Sequence, residues 1–144
     1  MKAIPELITL DQARAFFAKD RFAAGSGMII EAAAPGHALV SLTLTDRHRN
    51  AVGGVMGGVL LTMADFACAV ASHFGPGAGQ HVSADAHVSF LRPCRGELLT
   101  AEAARIKEGR TLSFYEVLIR DEEGREVARG IFTMSRVDQE NQNE

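Results

Sequence analysis

No lysine or arginine occurs between Arg49 and Arg92. Within that interval residues 56–74, MGGVLLTMADFACAVASHF, read like protein interior and carry one carboxylate, Asp65. An ionised side chain held there without a partner is costly. Packing alone gives no reason to keep it, so Asp65 is the first candidate for chemistry; the competing reading is a hydrogen-bonded structural carboxylate. Cysteine is scarce too. Cys68 and Cys94 are the only two, too few for a disulfide framework, and a thiol inside an apolar run suits a reducing compartment. Lysine and arginine form no run and the formal net charge is −3, which excludes the basic footprint of a nucleic-acid binder. No apolar stretch reaches membrane-spanning length without glycines, His73 or Asp65 inside it. The opening MKAIPELITL is broken by Pro5 and Glu6 and does not read as a signal peptide. These absences predict a cytoplasmic protein with neither nucleic acid nor membrane as partner, and 144 residues suit one domain over 1–144.

What is present is mostly strand, with one long helix. Thr9-Leu10-Asp11-Gln12 has the form of a capping box, and Ala13, Phe16 and Phe17 recur at helical spacing, so a short helix is predicted over about 10–19. Two strand-like runs, 28–32 and 38–44, flank the turn signal Pro35-Gly36 and read as a hairpin. Residues 46–55 turn polar and then glycine-rich, as a loop does. From Gly57 to about residue 74 the run is too long for a typical strand and rich in Ala, Leu and Met. It reads as a helix buried on most faces, ended by Gly75-Pro76-Gly77. In 82–91, Val82, Ala84, Ala86, Val88 and Phe90 alternate with Ser83, Asp85, His87 and Ser89, the period of a half-buried strand. Runs at 97–106, 111–120 and 126–135 follow, joined by hairpin-length turns, hence antiparallel. The polar tail 138–144 is expected to be disordered. The prediction is an α+β fold: five or six antiparallel strands wrapped around one long helix, or that helix sandwiched against a second copy.

The glycines before the long helix bear on chemistry. The first turn of a helix leaves N–H groups unpaired and carries positive partial charge. Glycine lets a ligand approach that backbone closely, so the Gly57 N–H can polarise a carbonyl as an oxyanion hole does. One helix thus offers an oxyanion donor and a carboxylate. The rise from Gly57 to Asp65 is about 12 Å at about 1.5 Å per residue, whereas both groups must lie within about 3–4 Å of one reacting centre. If both act, they come from different subunits. Two such helices running antiparallel about a two-fold axis set Gly57 of one chain against Asp65 of the other and bury apolar surface on both.

The ordered set Asn50-Ala51-Val52-Gly53-Gly54-Val55-Met56-Gly57-Gly58, then Ala64-Asp65, Phe90-Leu91-Arg92-Pro93, Gly109-Arg110-Thr111 and Val127-Ala128-x-Gly130 resembles the hotdog-fold acyl-CoA thioesterases, in particular their phenylacetyl-CoA thioesterase-like (PaaI-like) branch. The resemblance spans roughly 38–135. It implies the hotdog fold, homodimers that usually pair into tetramers, and hydrolysis of an acyl-CoA thioester, with coenzyme A part of the substrate and no separate cofactor. By position, Gly57 matches the residue whose N–H polarises the thioester carbonyl, Asp65 the general base or nucleophile, Asn50 a polar loop group that helps hold the carbonyl or water, and Ser83 a hydroxyl beside the carboxylate. Met56 and Gly58 flank the donor, and Arg92 and Arg110 are candidate phosphate partners. The family usually has His-Gly-Gly where this chain has Met56-Gly57-Gly58. Methionine lacks the hydrogen bonds that a histidine offers there, yet the Gly57 N–H belongs to the backbone and survives the change.

Other patterns carry less. Ser83, Asp85 and His87, placed on one strand face, stand about 6.5–7 Å apart from neighbour to neighbour and do not converge as a triad must. His81 and His87 have no third ligand at zinc spacing. Cys68 is inert in apolar surroundings. Gly75-x-Gly77-x-Gly79 follows a helix, not a strand, and is no dinucleotide fingerprint. The rival to an enzyme is a non-catalytic acyl-CoA binding or sensing protein on the same fold, which Met56 favours. A hotdog dehydratase needs a catalytic histidine that Met56 removes.

Overall fold

The computed structural model describes residues 4–137; the expectation for 138–144 lies outside them. Helix α1 (Leu10–Phe17) opens on the predicted capping box. Thr9 Oγ1 accepts from the Gln12 N–H at 3.1 Å, and Gln12 Oε1 accepts from the Thr9 N–H at 3.1 Å. It stops two residues short of the predicted end, because the chain turns into a second short helix, α2 (Arg21–Gly25). The sequence did not announce α2: five residues are too few for an amphipathic period, and Asp20 before it makes no side-chain cap bond.

Strands β1 (Ile29–Ala34) and β2 (His37–Thr43) form the expected hairpin. Its turn needs a glycine, since Gly36 has φ +73° and a Cβ there would lie 2.8 Å from the Arg105 guanidinium carbon. A single 3-10 turn (Asp46–His48) and a glycine-rich loop lead into α3 (Gly57–His73). After it come β3 (His81–Phe90), β4 (Leu98–Glu108), β5 (Leu112–Arg120) and β6 (Glu126–Arg136). The six strands make one curved antiparallel sheet in the order β1-β2-β4-β5-β6-β3, and α3 packs across its inner face. Met63, Ala67, Cys68 and Val70 of α3 are buried with Val40, Leu99, Val117 and Phe132 of the sheet. Among the described residues no helix is long and apolar enough to cross a membrane.

Two expectations need correction. The long helix is buried on most faces as expected, but Gly58, Leu61 and Asp65 form an exposed stripe at helical spacing. Asp65 is therefore at the surface of the single chain, and the desolvation argument that first drew attention to it does not hold there. Strand β3 is not half-buried. Val82, Ala84, Ala86 and Phe90 are exposed, because β3 lies at the sheet edge and pairs only with β6.

The simple alternation along β3 also breaks. Ser83 pairs with Met134 and Asp85 with Thr133, leaving Ala84 as an extra residue in a β-bulge. A bulge shifts the facing of side chains by one. Ser83 therefore faces the helix with Ala86 and Val88, the residues opposite Met134, Phe132 and Gly130, while Asp85 and His87 pair with Thr133 and Ile131 on the other side. The shared face read for Ser83, Asp85 and His87 does not exist.

Candidate active site

The bulge brings Ser83 to the carboxylate. Its hydroxyl donates to Asp65 Oδ1 at 2.5 Å and lies 3.5 Å from Met134 Sδ. A short charge-assisted bond of this kind orients an ionised carboxylate. Asp65 opens onto a cavity of about 410 Å³ whose lining includes Asp20, Phe22, Leu61, Phe66, Ala86 and Phe132. Its only charged members among the described residues are the two aspartates. One turn along, Cys68 is fully buried. Burial first, and then the Asp65 charge, push its thiol well above the usual range, so it stays protonated and unreactive, as expected.

The start of α3 makes the second half. Met56 is the N-cap residue and makes no side-chain cap bond. Its N–H donates to the His48 carbonyl at 2.9 Å, which fixes the entry of the loop. His48 is itself locked. Its Nδ1 accepts from the Thr45 N–H at 2.9 Å, which leaves Nε2 as the protonated nitrogen donating to the Ser26 carbonyl at 2.7 Å. Beyond Met56, the N–H groups of Gly57 and Gly58 have no partner among the described residues. They point where a helix end is most receptive to negative charge.

Asn50 holds the loop shut. Its Oδ1 accepts from the N–H groups of Val52 (3.1 Å) and Gly54 (3.0 Å), and its own N–H donates to the Gly54 carbonyl at 2.8 Å. With the oxygen engaged, the side-chain Nδ2 is the donor left over. Phe90 covers the helix start so closely that a Cβ on Gly57 would lie 2.9 Å from Phe90 Cε2. Glycine serves here for close approach rather than for a special backbone angle: any larger residue makes the exposed Phe90 ring shift. A cavity of about 750 Å³ runs past Asn50, Gly57, Leu60, Phe90 and Cys94; its only charged members among the described residues are Arg49 and Arg92. Arg92 Nη1 donates to the Glu126 carbonyl.

The structure thus gathers the sequence-selected residues into two groups. Asp65, held by the Ser83 hydroxyl, lines a cavity that is acidic and largely apolar-walled. Asn50, Gly57 and Arg92 line a cationic one, and Met56 and Gly58 flank it in the chain. Within one chain the groups do not converge on a single cavity. Arg110 stands in neither; it lies in the β4–β5 turn, at the opposite end of the sheet from Arg92, which abuts the start of β6. Three residues and one contact escaped sequence reading. Arg49 had no periodic signal, although it adjoins Asn50. Asp20 is the N-cap residue of the unannounced α2 and Phe22 lies in it. The contact of Phe90 with Gly57 spans residues far apart in sequence.

A histidine pair anchors the other end of α3. His73 Nδ1 donates to the Ala69 carbonyl at 2.7 Å, and its Nε2 accepts from the His81 N–H at 3.1 Å. The rings lie 5.8 Å apart, edge to face. Burial lowers the pKa of His73. Burial first, then the charges of His73 and Arg136, lower that of His81 from 6.5 to about 4. Both rings are therefore neutral near pH 7, tying the beginning of β3 to the end of the central helix.

Comparison with known proteins adds an independent line. The profile of the thioesterase superfamily matches residues 52–128, from the loop before α3 into β6. A Deinococcus radiodurans protein named "Putative esterase" is 40% identical over 112 residues, covering 76% of this chain and 75% of that one. Human acyl-coenzyme A thioesterase 13 is 30% identical over 103 residues, covering 70% and 74%. Among solved structures, the E. coli PaaI protein from the phenylacetic acid degradation operon superposes with a TM-score of 0.80 at 26% identity, covering 90% of this chain and 97% of that one.

Proposed function

This chain belongs to the thioesterase superfamily, and from that premise we propose that it hydrolyses acyl-CoA thioesters to the free acid and CoA, at sites shared between two subunits. The observation that carries this reading is the division of labour around α3. An unpaired oxyanion donor sits in a cavity whose charges are positive, and a carboxylate sits in one whose charges are negative. A thioester of CoA has the complementary halves, a polyanionic nucleotide and an apolar acyl group.

The unpaired edge of β3 supports a two-fold partner. Antiparallel pairing of two β3 strands satisfies both edges and sets the Gly57 end of one helix beside Asp65 of its mate. The thioester carbonyl then accepts from the Gly57 N–H, with Asn50 Nδ2 as a second donor. Asp65 of the opposite subunit, held by Ser83, takes a proton from water as it attacks the carbonyl carbon, or attacks that carbon itself to give an anhydride that water then opens. The tetrahedral intermediate collapses with departure of the CoA thiolate. Arg49 and Arg92 face the phosphates, and the same two-fold brings Arg110 of the partner subunit to that end of the sheet. Leu112 and Ile131, exposed on the outer face of the sheet, offer the surface for a dimer of dimers. No cofactor is required beyond the CoA of the substrate.

Subunit mixing tests the shared site. Asp65→Asn and Gly57→Pro are each expected to abolish thiol release from acyl-CoA. Proline is accommodated by the helix backbone at its first position and removes the N–H; because its Cβ also meets Phe90, both variants are made in a Phe90→Ala background and compared with that background. Mixed chains form heterodimers with one intact site, so activity returns to about a quarter of the background value for random two-fold pairing. Mixtures that stay inactive, although heterodimers form, overturn the shared site. The second reading, an acyl-CoA binder without turnover, draws on Met56 in place of the family's histidine; tight binding without thiol release would establish it.

A further inference from the structure

One side chain separates two cavities. The Asp65 cavity, about 410 Å³, ends against Phe66. On the far side lies a second cavity of about 330 Å³, walled by Phe17, Ala18, Ala24, Met28 and Ile30 in and beside α1, α2 and β1, with Arg14 its charged member, and again by Phe66. No other described residue lines both. Phe66 is 4% exposed, and its ring stands edge-on to Phe17 with centroids 5.8 Å apart. It is a fixed partition, not a loose flap.

Resting on the thioesterase reading above, we propose that Phe66 is the floor of the acyl pocket and restricts the enzyme to compact acyl groups, aryl or short aliphatic. The reacting carbonyl must lie within about 3–3.5 Å of the Asp65 carboxylate or of the water it activates. From there the acyl group has an apolar path past Leu61 and Phe22, and Phe66, the residue next to Asp65, blocks its end. A flat ring meets three aromatic walls, Phe22, Phe66 and Phe132, at which edge-to-face contacts are favourable. A long chain must instead displace a packed ring or leave its distal methylenes in water, and each methylene denied an apolar wall forfeits binding. The second cavity is the space that such a chain would need.

The test is a profile of kcat/KM with benzoyl-, hexanoyl- and dodecanoyl-CoA. The native enzyme is expected to favour the first two. Phe66→Ala joins the cavities and is expected to raise the dodecanoyl-to-hexanoyl ratio by about tenfold or more, the scale of discrimination carried by a few methylenes in an apolar pocket. Adding Ala24→Leu, at an exposed lining position, refills the second cavity and returns the ratio toward native. If Phe66→Ala does not fold, Phe66→Leu is read in the same way, with a smaller shift. A native enzyme that prefers dodecanoyl-CoA, or Phe66 variants that turn over substrate with an unmoved profile, overturns the floor while leaving the thioesterase reading intact. Absence of thiol release from every thioester overturns both.

Discussion

Ser83 reaches from the edge strand to the central helix and donates its hydroxyl to Asp65 Oδ1 at 2.5 Å. The contact depends on one extra residue, Ala84, which turns Ser83 inward. It leaves Oδ2 of the carboxylate open to the cavity, and a carboxylate that is oriented and partly free is suited to act on water or on a carbonyl.

Asp65→Asn keeps the size of the side chain and removes the base. Because the side chain is exposed in the single chain, folding should be unaffected and the melting temperature close to native. Hydrolysis should fall by about 100- to 10,000-fold, the usual contribution of a positioned base. Thiol release read alongside a thermal melt checks this. Native turnover in the variant removes Asp65 from the mechanism.

Ser83→Ala should have a milder effect. It deletes a single bond to a charged group, a loss of about tenfold in kcat on the scale of such bonds, with little change in KM because Ser83 stands behind the carboxylate. A Ser83→Thr variant, which keeps the hydroxyl, should recover most of the rate. An unchanged kcat in the alanine variant would mean that the bond has no catalytic consequence.

At Gly57 the structure separates space from hydrogen bonding. Gly57→Ala retains the N–H but drives a methyl into Phe90, so kcat should drop. In a Phe90→Ala background that penalty should disappear, a non-additive pair in a double-mutant cycle. Gly57→Pro in the same background should remain about 100- to 1,000-fold down, the cost of one lost oxyanion donor. Met56, with extended backbone at φ −64° and ψ 133°, already has the conformation that a following proline demands. Equal rates for the alanine and proline variants would refute a donor role for Gly57.

His81 gives the stability a pH dependence of known sign. Its pKa is lowered in the folded protein to about 4 from an ordinary 6.5, so below pH 6.5 the unfolded chain takes up the proton first. Stability should therefore be intact above about 6.5 and decline as the pH falls towards 4. His73, lowered in the same direction, adds to the decline. Urea midpoints measured across this range should fall for the native protein and flatten for His81→Gln. A native midpoint that does not move between pH 7 and 4.5 contradicts the neutral pair.

Much of this was legible in the chain. The capping box at Thr9, the turn at Pro35-Gly36 and the long Ala/Leu/Met run from Gly57 fixed helices and hairpins to within a few residues, because each is a local signal with a local cause. The resemblance built on Asn50, Gly57 and Asp65 identified the family that the comparisons then showed. What sequence could not give is parity and exposure. The bulge at Ala84 has no marker residue, and periodicity placed Ser83 on the wrong face. The apolar run implied burial for Asp65, yet a helix at the open side of a single sheet exposes one stripe whatever its composition. The partition at Phe66 brings together α1, α2, β1 and α3, a relation that no spacing along the chain encodes.

Strand β3 closes the sheet with a row of amide and carbonyl groups that no other described strand covers. If the proposed site is shared across such a seam, the rate per chain becomes a function of the protein's own abundance. On progressive dilution, specific activity should then fade as subunits part, well before any of them unfolds, so that the quantity of protein made acts as a throttle on the rate per molecule.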